Sequence, residues 1–433
     1  MNRRFHLRKG LVAVSSNVEP TADFDVVVVG GGAAGIAAAV GAARSGASVC
    51  VVEQYGFLGG AATNSSVLTH CGFFDQTGTQ VVRGVGQQVL DRLAERRLYR
   101  TQTIAETGNT VVLLDLETTK SVYDQVIGES GVTLLLHSKL VGAATADGRI
   151  TEIEIVHRGG HRRITGRAFV DCSGDGALIA ESGSAMRLSE AAERQACTLV
   201  MRVGGVADDA DLSQAGMAAA VGKYEADTGH ALIRDSGIAV RMPVARDVML
   251  LLADQHRDAL SVEELTEAEL RARELSWHYL DAFRRFLPGW EEAYLAFTGP
   301  QIGIREARRL RGVDAVLAED VSAGRKRPDD AVARCGWPME NHVAPGVTEY
   351  GGIRDKGWYH ISYGAIRSSS TDNLWAGGRL VSSDNSAYAS LRVMGTSFAT
   401  GHACGVAAAV YADAGVHDYA SVRRELENQG ALI

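Results

Sequence analysis

The stretch DVVVVGGGAAGIAAAVGAARSGASVCVVE, Asp25 to Glu53, decides how the rest of the chain is read. Four consecutive valines after Asp25 suit a strand buried on both faces of a parallel sheet. Gly30, Gly32 and Gly35 follow at GxGxxG spacing, and an alanine-rich helix then runs to Gly46, where a left-handed cap is expected. The strand ASVCVVE closes the unit. In that order each glycine has its own task. Gly30 turns the chain, Gly32 lets the backbone approach a pyrophosphate, and Gly35 lets the helix press against the strand. The helix N-terminus, with Ala33 and Ala34, offers unpaired N–H groups to phosphate oxygens.

Glu53 stands eighteen residues beyond Gly35, at the end of the second strand. A carboxylate there accepts hydrogen bonds from both hydroxyls of an adenosine ribose and repels a 2′-phosphate. NADP is thereby disfavoured, while NAD and FAD remain. Three features separate these two. Just after Glu53 and Gln54, the run Gly59-Gly60-Ala61-Ala62-Thr63-Asn64 is a second backbone-exposing turn, which suits a cofactor with a longer ribityl and ring arm. VDCSGDG ends a buried strand on Gly174 and Asp175. NLWAGGRL, with Gly378 and Arg379, leads into the small-residue helix LRVMGTSFATGHACGVAAAV, which carries Met394, Gly395 and Thr396.

Between these motifs the pattern is α/β. LETTKSVYDQVIGESG reads as a helix and VTLLLHSKLVGAAT as a strand, and turns at ADG and RGGH mark an antiparallel meander. From Gly183 the segments become mixed and more polar, and they include the amphipathic run SVEELTEAELRARELSWHYLDAFRRFL, stopped by Pro288-Gly289. After Pro345 the chain returns to strand, glycine turn and helix. The expected organisation is an N-terminal arm (1–22), a discontinuous dinucleotide domain (23–182 and 346–433) and an inserted α+β substrate domain (183–345).

Composition narrows the partners. The 433 residues are 46% hydrophobic and 22% charged, with a formal charge of −8. No basic stripe follows the first ten residues, so a nucleic-acid partner is not expected. The six cysteines form no CxxC pair and no metal-ligand spacing with histidines, which predicts reduced thiols, no metal and a cytoplasmic setting. In MNRRFHLRKGLVAV the apolar run is too short for an export signal, and no run is long enough to span a bilayer.

From Phe24 onward the chain resembles the FAD-dependent oxidoreductases of the glutathione-reductase-like (GR2-type) flavoprotein superfamily. The resemblance rests on the fingerprint, GFLGGAATNS, DLETTKSVYDQVIGESGVTLLL, FVDCSGDGALIAESG, IGIREARRLRG and the returning NLWAGGR segment, in that order. It implies a Rossmann-like FAD domain built from both ends of the chain. Gly30, Gly32, Ala33, Ala34 and Gly35 would hold the pyrophosphate and Glu53 the ribose. Gly59 to Asn64 would run beside the ribityl and ring, Gly174-Asp175 would close over the adenine side, and Gly378-Arg379 would line the pyrophosphate or ribityl stretch. The helix starting near Arg392 would direct its N-terminus at the flavin pyrimidine edge, where a reduced flavin carries negative charge. Its small residues would allow that close approach.

A second dinucleotide fingerprint is not visible, which points to reducing equivalents drawn from the substrate itself. The expected activity is oxidation of a small polar C–OH or C–N donor by hydride transfer to flavin, with reoxidation by oxygen or another acceptor. Alternatives are reduction or desaturation of a C=C bond in a carboxylate, a single-component flavin hydroxylase, and a FAD-holding structural protein without turnover. A neutral histidine suits the base. His360 in WYHISYG is the first candidate, His342 in WPMENHVAP the second, and His70 beside Cys71 a third. Arg305 in GIREARRLRG and Arg392 are candidate carboxylate or hydroxyl binders.

Overall fold

The computed structural model describes residues 18–97, 99–104 and 107–433. The expected arm lies outside them up to residue 17. Its last residues instead begin the strand Val18–Val29, which extends DVVVV toward the N-terminus.

Valine-rich β-branched runs build the central sheet. Val18–Val29 pairs in parallel with Val49–Val52 on one side and with Gly160–Asp171 on the other, and Thr133–Leu135 lies beyond Val49–Val52. Leu374–Ala376 adds a further parallel strand against the end of Gly160–Asp171, at Phe169 to Asp171. The alternating runs Lys139–Ala146 and Arg149–His157 form the antiparallel meander on that strand's other half. The chain thus returns to its first sheet after an excursion of some two hundred residues.

The carboxyl ends of the parallel strands are stitched together. Gly30 N–H donates to the Val52 carbonyl (2.8 Å), Cys172 N–H to Val29 (2.8 Å) and Gly377 N–H to Asp171 (3.1 Å). This edge of an open α/β sheet is where ligands bind.

One face of the sheet is covered by Ala33–Arg44 and, across it, by Met394–Ala414. A Cβ on Gly401 would lie 2.1 Å from the Ala34 carbonyl oxygen, and one on Gly405 would lie 1.9 Å from that of Ala38. These glycines let two backbones touch. They serve helix packing, while Ser397, another small residue of the same helix, lines the cavity described below. Asn385–Leu391 and Met394–Ala414 are together long and apolar enough to span a membrane only when joined across a 94° bend. No single helix among the described residues is long and apolar enough to cross a membrane.

The intervening region forms a second core. Ile238–Arg241, Val248–Gln255, Cys197–Gly204 and Tyr294–Thr298 make an antiparallel sheet, covered by the helices Gln214–Thr228 and Val262–Phe286. Ser261 caps the longer helix by accepting from Glu264 N–H (3.2 Å), and the helix stops before Pro288. Val316, Val332, Cys335 and Trp337 lie before the expected boundary at 345, yet they pack in the core of the first sheet.

Candidate functional site

A cavity of ≈ 330 Å³ opens along the carboxyl edge of the sheet. Its floor is the fingerprint. Gly30 has φ +98°, and a Cβ there would strike the Cys172 carbonyl oxygen at 2.4 Å. Gly32 is the helix N-cap, and no side chain caps it. The helix's own bonding starts with Ile36 N–H to the Gly32 carbonyl (2.9 Å), so the N–H groups of the first turn find no partner in the preceding turn. Gly30, Gly32, Ala33 and Ala34 line the cavity. Gly35 does not, because it is pressed against Gly30, whose carbonyl oxygen would be 1.8 Å from a Cβ.

Glu53 and Gln54 form the next wall. Glu53 is buried, and its two carboxylate oxygens accept from Gly31 N–H (2.6 Å) and Tyr55 N–H (2.9 Å). Burial raises its pKa against those backbone bonds. The middle glycine of GGG, which the fingerprint itself leaves unexplained, has a use here. A Cβ on Gly31 would lie 2.4 Å from Leu58 Cδ2 and 3.1 Å from the Glu53 carboxylate.

Gly59, Gly60, Ala61 and Asn64 line the cavity from the second glycine turn. Ala62 and Thr63 turn inward, and the Thr63 hydroxyl donates to the Leu58 carbonyl (2.6 Å). Gly174 and Asp175 meet Gly378 and Arg379 across the cavity, where Arg379 donates to the Asp175 carboxylate (2.6 Å) and to the Gly174 carbonyl. Two segments two hundred residues apart are thereby joined by one ion pair. That turn is shaped by Asp171, which sequence reasoning passed over. Its fully buried carboxylate accepts from Ser173 N–H and Ile179 N–H, both at 2.9 Å.

At the start of the long helix Met394 and Ser397 line the cavity, with Arg392 beside them, while Gly395 and Thr396 do not. Gly395 N–H is taken by the Cys71 carbonyl (2.7 Å), and the Thr396 hydroxyl donates to Cys335 Sγ (3.3 Å). The helix N-terminus is therefore partly occupied by protein. Further lining residues escaped the sequence reading, among them Tyr55, Ser138, Lys139, Gln301, Gly303 and Ile304. Gly303 and Ile304 belong to a motif that had been noticed for its arginine. The serine and lysine open an ordinary meander strand and carry no signal.

A second cavity, of ≈ 160 Å³, adjoins the first and shares Ala61, Gly303, Ile304, Arg379, Arg392 and Met394 with it. Its lining is mixed: Val67, Val200, Ile238, Leu251 and Val393 contribute apolar surface, and Thr198, Arg305, Glu340 and His342 contribute polar groups. His342 sits on the strand Met339–Ala344, with Nδ1 3.1 Å from the Thr348 hydroxyl and Nε2 3.7 Å from Glu340. Burial first, then Arg305, Arg392 and Arg234, depress its pKa far below the usual range, so the ring is neutral. Cys71 also lines this cavity, and burial raises its thiol pKa.

His360 is elsewhere. Its strand, Tyr359–Ser362, pairs with Ala331–Cys335, its Nδ1 accepts from Arg327 N–H (2.7 Å), and it lines neither cavity. The first candidate base is thus set apart from both cavities by the strand it pairs with. His70 is likewise enclosed, bonded to the Tyr123 hydroxyl (3.0 Å) and packed beside Phe73 and Phe398. Arg305 donates to the Ala196 carbonyl (2.5 Å) and the Thr198 hydroxyl (2.6 Å), and Arg392 donates to the Glu340 carbonyl (2.9 Å). Among the described residues no group of three or more His, Cys, Asp or Glu is arranged to hold a metal ion.

A glycine-floored trough with an uncapped helix end and a buried carboxylate fits the adenosine diphosphate part of a dinucleotide, because each glycine is placed where a side chain would block backbone or cavity. Comparison with known proteins agrees. The fold is shared with a geranylgeranyl bacteriochlorophyll reductase-like protein from Thermoplasma acidophilum (TM-score 0.51, 12% identity, 94% of this chain and 83% of that one). It is shared equally with the p-nitrophenol 4-monooxygenase PnpA from Pseudomonas putida DLL-E4 (TM-score 0.51, 10% identity, 94% and 85%). At such identities the likeness concerns fold alone. A segment of 82 residues, 18% of this chain, is 33% identical to mitochondrial glycerol-3-phosphate dehydrogenase of Schizosaccharomyces pombe, and it spans 13% of that enzyme's length. The family model described as FAD dependent oxidoreductase matches residues 25–426.

Proposed function

Since the chain belongs to the FAD dependent oxidoreductase family and takes FAD as its cofactor, we propose that it oxidises a small polar C–OH or C–N donor bound in the second cavity. When bound, FAD supplies the two-electron acceptor. The placement in the GR2-type subgroup is part of this reading and rests on the order of the motifs.

The residues proposed to hold the cofactor's phosphates are Gly30, Gly32, Ala33 and Ala34, with Glu53 toward the ribose and the Asp175–Arg379 pair closing the trough. What carries the reading is the continuity of the two cavities through six shared residues, with a neutral histidine in the wall of the second. His342 accepts the donor's O–H or N–H proton at Nε2. Thr348 holds the opposite ring nitrogen, and Glu340 stands 3.7 Å from the nitrogen that becomes protonated. The donor thus loses a proton to His342 and a hydride to the acceptor, and oxygen or another acceptor later removes the electrons.

The test is anaerobic mixing of the FAD-loaded protein with alcohols, amines, hydroxy acids and amino acids. Bleaching of the flavin bands by a member of this panel without NAD(P)H supports donor oxidation. Bleaching by NAD(P)H alone contradicts it and favours a hydroxylase or reductase.

A further inference from the structure

The second cavity carries positive charge that its own walls do not cancel. Arg305 spends one terminal nitrogen on the Ala196 carbonyl and the Thr198 hydroxyl. Arg392 spends one on the Glu340 carbonyl, and its buried Nε has no partner. Neither guanidinium is ion-paired to a carboxylate among the described residues, whereas Arg379 in the same wall is held by Asp175. The two arginines also oppose each other. Burial first, then Arg305, brings the Arg392 pKa down to about 10.

Among the described residues Glu340 is the one acidic side chain lining this cavity. One of its oxygens accepts from the Trp337 indole N–H (3.1 Å), while the other faces His342 at 3.7 Å and the Tyr350 hydroxyl at 3.4 Å. With Arg379 cancelled by Asp175 and His342 neutral, two cations face one anion, and a guest of charge −1 brings the site to neutrality. Free guanidinium N–H groups match a planar carboxylate in geometry as well as charge. Val67, Val200, Ile238 and Leu251, which also line the cavity, offer nothing to a polar group and reward apolar surface.

We propose that this cavity binds a small monocarboxylate whose carboxylate lies between Arg305 and Arg392 and whose side group is apolar. Together with the donor reading above, on which only the identity of the oxidised molecule depends, this makes the substrate class apolar 2-hydroxy or 2-amino monocarboxylic acids.

The experiment is calorimetric titration of the FAD-loaded protein with non-oxidisable probes: isobutyrate, its neutral isostere isobutyramide, acetate, and the dianion malonate. Isobutyrate is expected to bind at least about thirtyfold more tightly than isobutyramide. It should also bind more tightly than acetate, by roughly fourfold for each buried methylene, and more tightly than malonate. Arg305→Met and Arg392→Met should each weaken isobutyrate by about thirtyfold or more, and Arg305→Met, at a residue that lines the second cavity and not the first, should leave the visible flavin spectrum in place. Equal binding of acid and amide, or no isobutyrate binding at all, overturns the proposal, and this comparison uses the unaltered protein, so it decides the matter even if a variant fails to fold. If isobutyrate binds as expected but no hydroxy or amino acid bleaches the flavin, donor oxidation fails and the carboxylate site stands. If neutral alcohols bleach the flavin and isobutyrate does not bind, the reverse holds.

Discussion

His342 and His360 look alike in the sequence, each a histidine in a short strand near the expected boundary at 345, and the structure separates them by their neighbours. His342 faces Glu340 and Thr348 at the wall of a cavity, and His360 is tied to the backbone N–H of Arg327 away from it. His342→Asn is therefore expected to slow flavin reduction by the donor about a hundredfold or more, the usual share of a general base. His360→Asn should change it by less than about twofold, and anaerobic stopped-flow traces of the two variants check both. The pH dependence follows from the same surroundings. Burial and three arginines lower the His342 pKa, so its neutral, proton-accepting form persists as pH falls through the ordinary histidine range near ~6.5. The pH profile of kcat/KM should show no acidic limb there, and a limb at that position that disappears in His342→Asn would contradict the lowered pKa of His342. Sequence could nominate both residues, because chemistry chooses the residue type. It could not choose between them, because the choice depends on which strand each one pairs with.

At the scale of elements, the strand, glycine turn and helix of Asp25 to Glu53 were legible, since each glycine answers a local backbone need. Arg379 and Asp175 were also visible separately, but their ion pair joins segments that only the returning chain brings together. The second cavity was hidden for a related reason. Val200 and Leu251 are ordinary inward residues of an antiparallel sheet, and Arg392 precedes a helix of the other unit, so no local spacing unites them. The glycine stripe of the last long helix was legible as a device for close approach, but the helix it packs against is distant in the chain and was not. Its contact is with Ala34 and Ala38, and Gly405→Val should cost about 1–3 kcal/mol by overpacking. A clear fall in the thermal midpoint is the expected result, and an unchanged midpoint would contradict the close contact of these two helices.

The described residues are organised by two larger sheets with separate cores, and the trough proposed for the cofactor draws on both ends of the chain. Folding of the first unit therefore requires the N-terminal fingerprint and the C-terminal helix to meet, and a ligand that touches both should stabilise the fold. Free FAD at a hundred times its dissociation constant adds about 2.7 kcal/mol to a native state that alone binds it. The thermal midpoint should rise with FAD concentration, and Asp175→Asn, which weakens the closing pair, should shift that dependence to higher FAD. A midpoint indifferent to FAD would contradict the assignment of the trough.

The two cavities meet around Arg392 and Met394, and the account stands on their acting as one site for cofactor and donor. The most direct measurement is the anaerobic absorption spectrum of the FAD-loaded protein mixed with apolar 2-hydroxy and 2-amino monocarboxylic acids. The account predicts that at least one of them bleaches the flavin without NAD(P)H, and that His342→Asn slows the bleaching about a hundredfold or more. A flavin that stays oxidised with every such acid and is reduced only by NAD(P)H would contradict it.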